Sequence, residues 1–299
     1  MAGETFPGGE LGDRLRGIAS ICVAAALFAC VDSSSKFATH AGVPTLEVVW
    51  ARYAISLVVA ALVLRPWRRP ADYITRRPMW QALRAVFLLM STVFSFIAIQ
   101  HLQLSESTAI SFVSPLVVTA LAGPVLGEWA GIHRWAAIVV GFIGVLIVVH
   151  PTPGDFNPAV LAAIGNALAY SAYVLATRFL STTETPGAML IYGSLVATVA
   201  LTPALPASHL VMPGWSATLA LVICGAAGAI SHLFIILGYR HAPTPVLAPF
   251  SYTQILWAAA LGYLVFGDLP TLTTLIGAAV IIASGLYILY RHRVRRARP

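Results

Sequence analysis

The side chains in this sequence that could do chemistry are few, and most of them interrupt otherwise apolar runs. Asp32 and Lys36 sit in "FACVDSSSKFATH" (28–40), one helical turn apart, where opposite charges can partly neutralise each other. "SESTAISFVSP" supplies Ser107, Thr108, Ser111 and Ser114, and "PFSYTQILW" supplies Ser251, Tyr252, Thr253 and Gln254, with Trp257 three residues beyond. Asn166, Tyr170 and Tyr173 in "GNALAYSAY" fall on one helical face. Ser91, Phe94 and Ser95 form another such group, and Ser231 and His232 a third. Apart from Asp32 and Lys36 these are neutral hydrogen-bonding groups beside aromatic rings, a chemistry suited to an uncharged or zwitterionic amphipathic solute. A dianion would need a cluster of buried Lys or Arg.

Each group also has a plainer reading. Serines in apolar helices cap their own carbonyls or tighten packing. Gln254 is harder to dismiss, because its amide must be satisfied in hydrocarbon by a partner or by a hydrated cavity. Pro115 and Pro249 read either as hinges or as static kinks. His232 titrates near neutrality when unperturbed and is a candidate proton carrier, or else a bond between helices. Arg52 lies about 9–11 Å into its helix at 1.5 Å per residue, near enough to a surface to snorkel, with Glu47 as a possible partner. No P-loop, H-E-x-x-H, G-x-S-x-G or cysteine–histidine metal spacing occurs, so the sequence offers no metal, cofactor or catalytic motif. Cys22, Cys30 and Cys224 all fall in apolar runs, as reduced packing thiols do.

The elements that position these groups follow from composition. The chain has 299 residues, 59% hydrophobic and only 10% charged. About 20 apolar residues cross a bilayer core, and ten such stretches occur, at 17–37, 45–64, 80–99, 107–126, 135–149, 158–180, 186–205, 215–237, 244–266 and 271–290. The net charge of +7 is concentrated at their ends. Arginines precede the first span, crowd 65–77 and follow the tenth, while the alternate connections carry Glu106, Asp155 and Asp268. That asymmetry predicts a multi-pass protein of a bacterial-type inner membrane with both termini cytoplasmic, and it accounts for the basic charge without nucleic acid. A cleaved signal peptide at 14–31 is the competing reading of the first span.

The chain also repeats itself. "HLQLSESTAISFVSPLVVTALAGPVLGE" (101–128) aligns without a gap on "HAPTPVLAPFSYTQILWAAALGYLVFGD" (241–268). "ALFACVDSSSKF" (26–37) aligns on "LAYSAYVLATRF" (168–179), pairing Phe28 with Tyr170 and Lys36 with Arg178. Asp32 falls opposite Val174, so the shared scaffold has no need of an acid there. Five spans are followed by five related ones, and an odd number inverts the second set in the membrane. The predicted fold is all-α, with ten transmembrane helices as two inverted five-helix repeats: a tail at 1–16, repeats at 17–150 and 157–290, and a basic tail at 291–299. Secondary transporters are commonly built this way, with solute held at the midplane and alternating access produced by rocking.

The 5+5 layout, the "GE" and "GD" ends of spans four and nine, the "WARYAIS" start of span two and the glycine-bearing "GFIGVLIVV" and "IGAAVIIASGLYIL" resemble the drug/metabolite transporter superfamily in its EamA branch. Length and aromatic content are most similar to YddG-type amino-acid exporters. The resemblance implies a cavity lined by spans 1, 3, 4, 6, 8 and 9, with spans 5 and 10 peripheral. It implies export of small amphipathic metabolites, amino acids among them, with a small-molecule solute and lipid as partners and with monomer or homodimer left open. On the residues, the expected cavity set is Ser91, Phe94, Ser111, Ser114, Asn166, Tyr170, Tyr173, His232, Ser251, Tyr252, Gln254 and Trp257. The expected gating or coupling set is Asp32, Lys36, Pro115 and Pro249. The alternatives are a carrier of drugs or nucleotide-sugars, or a polytopic enzyme acting on lipid, which would need catalytic groups at a membrane face.

Overall fold

The computed structural model describes residues 10–126, 132–149, 157–180, 183–205, 214–241, 247 and 250–296. The helices are α1 (Glu10–His40), α2 (Thr45–Leu64), α3 (Pro78–His101), α4 (Leu104–Ser111), α5 (Ser114–Leu126), α6 (Ile132–Val149), α7 (Ala159–Leu180), α8 (Pro186–Leu201), α9 (Trp215–His241), α10 (Thr253–Leu261) and α11 (Leu272–Arg296). Six are long and apolar enough to cross a membrane, and four shorter apolar helical stretches, at Leu104–Val118, Trp135–Val149, Thr253–Phe266 and Leu272–Tyr287, complete ten spans. The chain is an all-α membrane protein, without strands among the described residues.

Helix ends follow ordinary chemistry. Pro78 and Pro186 open α3 and α8 at the first turn, where a missing N–H is not needed. Thr185 caps α8 by accepting the Ala188 N–H at 3.2 Å.

The packing obeys the inversion that the sequence repeat demands. α1 runs along α9, and α3 along α7; these contacts join span 1 to span 8 and span 3 to span 6, which exchange under the repeat. α2 against α8 (spans 2 and 7) and α6 against α11 (spans 5 and 10) are each their own counterpart. At the α6–α11 crossing, a Cβ on Gly144 would lie 3.0 Å from the Gly277 carbonyl, and one on Gly277 would lie 2.6 Å from the Gly144 carbonyl. Only hydrogen at both positions allows this approach, the usual means of association where lipid removes the hydrophobic drive.

Span four is broken, and its sequence explains where. Pro115 has no N–H to give the Ser111 carbonyl. The chain tightens at Phe112, whose N–H reaches both Thr108 and Ala109 at 3.2 Å, before α5 restarts at Ser114. Ser171 of α7 donates to the Ser114 carbonyl at 3.2 Å, so a neighbouring helix re-satisfies the disturbed backbone. Span nine is interrupted at the repeat-equivalent place: Tyr252 is a turn, and α10 begins at Thr253. The two broken spans meet there, with the Phe112 and Tyr252 rings edge to face at 4.9 Å between centroids.

Candidate functional site

The broken spans face a cavity of about 470 Å³. Its wall takes residues from spans 1, 3, 4, 6, 8 and 9, together with Arg52 of α2 and Gly285 of α11. Among the residues expected there from sequence, Ser91, Ser111, Ser114, Asn166, Tyr170, His232, Ser251, Tyr252 and Gln254 lie on this wall, as do Asp32 and Pro115.

A hydrogen-bonded chain fixes one side. Ser91 of α3 donates to Asn166 Oδ1 at 2.7 Å, Asn166 Nδ2 donates to Ser111 at 2.8 Å, and Ser111 donates to the Ser107 carbonyl at 2.9 Å. Three spans are thereby locked together, and a buried asparagine is satisfied, as a low-dielectric interior requires. The aromatic part of the wall comes in repeat-related pairs. Phe28 and Tyr170 occupy equivalent positions and both line the cavity, and so do Phe112 and Tyr252. Phe28 also stands edge to face with His232 at 5.2 Å between centroids. The Tyr252 hydroxyl lies where a Cβ of Gly285 would be, so that glycine seats the ring.

The opposite charges on the wall break this symmetry. Asp32 lines the cavity, while its repeat counterpart Val174 lines it as an apolar group. Gln254 Nε2 reaches Asp32 Oδ2 at 3.5 Å. Arg52 is 6% exposed, donates through Nη1 to Thr92 at 2.8 Å, and stacks its guanidinium over Tyr53 at 4.8 Å and Phe96 at 5.9 Å. Its Nε is buried without a partner.

Several expectations are corrected by these placements. Arg52 does not snorkel and forms no ion pair with Glu47; it is enclosed where α9 presents glycines to α2. A Cβ on Gly225 would meet Ile55, and one on Gly228 would lie 3.6 Å from Arg52 Nε. Lys36 pairs with Asp268 rather than with Asp32. It is buried, donates to Asp268 Oδ2 and to the Leu102 carbonyl, both at 3.0 Å, and lies 4.9 Å from the Phe266 ring centroid. Asp268 is brought to it by a π-helical turn, Gly262–Phe266, that ends on Gly267 at φ 75°, a left-handed conformation suited to glycine. Tyr173 is off the cavity wall and gives its hydroxyl to Arg84 Nη2 as acceptor at 3.1 Å. Phe94 packs against Gly165, where a Cβ would come within 3.2 Å of its ring. Trp257 is 47% exposed on the outer surface of α10. Pro249 lies outside the described residues. The neighbourhood of Arg52 was missed from sequence. The signal available was the pair of glycines at 225 and 228, one turn apart, that make room for a large side chain.

This fold and cavity define a membrane transporter built from two inverted repeats. The chain belongs to the EamA-like transporter family, whose model matches residues 15–150 and 157–290. It is 30% identical to a riboflavin transporter of Vibrio cholerae over 92% of this chain and 93% of that protein. It is 27% identical to an S-adenosylmethionine uptake transporter of Rickettsia felis over 75% and 76% of the two chains. It is 24% identical to the pseudopaline exporter CntI of Pseudomonas aeruginosa over 90% and 94%. A crystal structure matches with a TM-score of 0.62, covering 97% of this chain and 99% of its own at 18% identity, a likeness of fold alone. The relatives named here carry the names of larger metabolites rather than amino acids.

Proposed function

We propose that this protein is a facilitative carrier of a flat heteroaromatic metabolite of riboflavin's class, moving it inward across a bacterial inner membrane, with both termini cytoplasmic. The observation that carries this reading is the pairing of aromatic side chains by the repeat. Phe28 with Tyr170, and Phe112 with Tyr252, line one cavity whose other groups are aliphatic side chains and neutral hydrogen-bonders, with Asp32 and Arg52 among them. Flat rings gain area and quadrupole contacts from such a wall, and the volume lies in the range that holds a drug-sized solute. The riboflavin transporter relative spans nearly the whole chain and supports the solute class. The relatives named for S-adenosylmethionine uptake support the inward direction. Inverted repeats suggest that the broken spans four and nine rock about their contact to alternate access.

The test is flux of radiolabelled riboflavin into liposomes holding only this purified protein. Saturable entry is expected, competed by unlabelled riboflavin and more weakly by S-adenosylmethionine and tryptophan. Collapse of an imposed pH gradient should leave the rate unchanged. Tryptophan flux without riboflavin flux would instead favour amino-acid export, and no flux of any of the three would overturn the reading.

A further inference from the structure

We propose that Asp32, Arg52 and Gln254 form a specificity site that reads the imide edge of a pyrimidinedione ring, the two carbonyls flanking one N–H that a flavin carries. The inference deepens the heteroaromatic reading above and rests on it.

Three observations converge. Arg52 is 94% buried by its 6% exposure, lies on the cavity wall, and keeps a buried Nε with no partner. That Nε is turned onto Gly228 of α9 and out of a solute's reach, but a guanidinium has five N–H donors, and with Nη1 given to Thr92 the head on the cavity wall has others to offer an acceptor oxygen. Asp32, on the same wall, lies within the field of the Arg52 charge without a salt bridge to it among the described residues, and its hydrogen bond with Gln254 is stretched to 3.5 Å. A carboxylate in a membrane interior without a short partner marks a functional position. Third, the repeat isolates the acid: Val174 stands where symmetry would place a second one, so Asp32 serves something other than the scaffold.

Taken together, the three side chains supply two donors and one acceptor at one place on the wall. An imide edge has the complement, two acceptors and one donor. Arg52 and the Gln254 amide donate to the two carbonyls, Asp32 accepts the ring N–H, and Phe28, one turn before Asp32, lies against the ring system. A phosphorylated flavin is disfavoured, because Arg52 is the one cation on the cavity wall among the described residues.

The test uses the full chain in proteoliposomes, with riboflavin and N3-methylriboflavin as competitors of labelled riboflavin uptake. Methylation removes the N–H that Asp32 accepts and leaves the ring otherwise intact. Wild-type protein is expected to prefer riboflavin by about tenfold or more, the scale of one unmade buried hydrogen bond. Asp32→Ala, which leaves no side-chain acceptor, is expected to weaken riboflavin and reduce that preference to less than about threefold, while Asp32→Glu retains it. Equal competition by the two flavins in wild type overturns the inference and needs no variant, so it decides even where Asp32→Ala yields no folded protein. Full preference surviving in a folded Asp32→Ala also overturns it. An absence of riboflavin flux overturns the heteroaromatic reading and this inference with it, whereas flux without discrimination overturns the inference alone.

Discussion

Among the described residues two arginines are buried, Arg52 and Arg84, and their surroundings differ in one respect. Arg84 of α3 lies 4.8 Å from the Tyr173 ring centroid, much as Arg52 lies over Tyr53. Each nitrogen of the Arg84 guanidinium, however, has its own acceptor: Nε gives to Thr177 at 2.8 Å, Nη1 to the Met189 carbonyl at 2.9 Å and Nη2 to Tyr173 at 3.1 Å. These acceptors come from α7 and α8, so Arg84 clasps three helices and lies off the wall of the cavity described above. Arg52 gives Nη1 to Thr92, lies over the Tyr53 ring with its Nε turned onto Gly228 of α9, and lines the cavity. A buried charge with an acceptor for every nitrogen is scaffold, and one that borders the cavity is the charge proposed above to meet the solute.

The sharpest way to break this contrast is to remove both charges in turn. Arg84→Ala strands acceptors on two neighbouring helices, and loss of about 3–5 kcal/mol of stability is expected, the usual scale when a buried charged partner is deleted. Thermal unfolding in detergent measures it, and transport per folded molecule should change little. Arg52→Gln should behave in the opposite way. It removes a charge that the fold does not fully satisfy, so stability is expected to shift by less than about 1 kcal/mol. On the proposed reading, riboflavin affinity should fall by about tenfold, the scale of a lost hydrogen bond to a charged group. If Arg52→Gln unfolds the protein while Arg84→Ala does not, the assignment of scaffold and site is reversed.

How much of this was legible from sequence follows the same line. Axial position reads well: hydropathy finds the ten spans, and the repeat aligns Phe28 with Tyr170 and the break at Phe112 with that at Tyr252. Ser91, Asn166 and Ser111 could be picked because polar atoms at that depth must find partners. Lateral position reads poorly, since a helix apolar all round does not announce which stripe faces a cavity. Arg52 illustrates this, because its depth along α2 was known while the glycine notch of α9 that encloses it was not. Lys36 shows a second cause. A partner one turn away was visible in sequence, but the true one, Asp268, is brought close by a turn on Gly267 far along the chain.

Tyr173 gives the finest test of that lesson. It shares a helical stripe with Asn166 and Tyr170, and spacing alone places all three in the cavity. The rings of Tyr170 and Tyr173 do lie 5.6 Å apart, tilted by 38°. Yet Tyr170 lines the cavity, whereas the Tyr173 hydroxyl is spent on Arg84. Tyr173→Phe keeps the ring beneath the guanidinium and removes one of its three acceptors. Stability is expected to drop by about 1 kcal/mol, the net worth of one such hydrogen bond, with KM for the proposed solute, riboflavin, unchanged. Tyr170→Phe, one turn earlier on the same helix, is the control that touches the cavity itself. A raised KM in Tyr173→Phe at unaltered stability would return Tyr173 to the solute and leave Arg84 with two partners, narrowing its difference from Arg52.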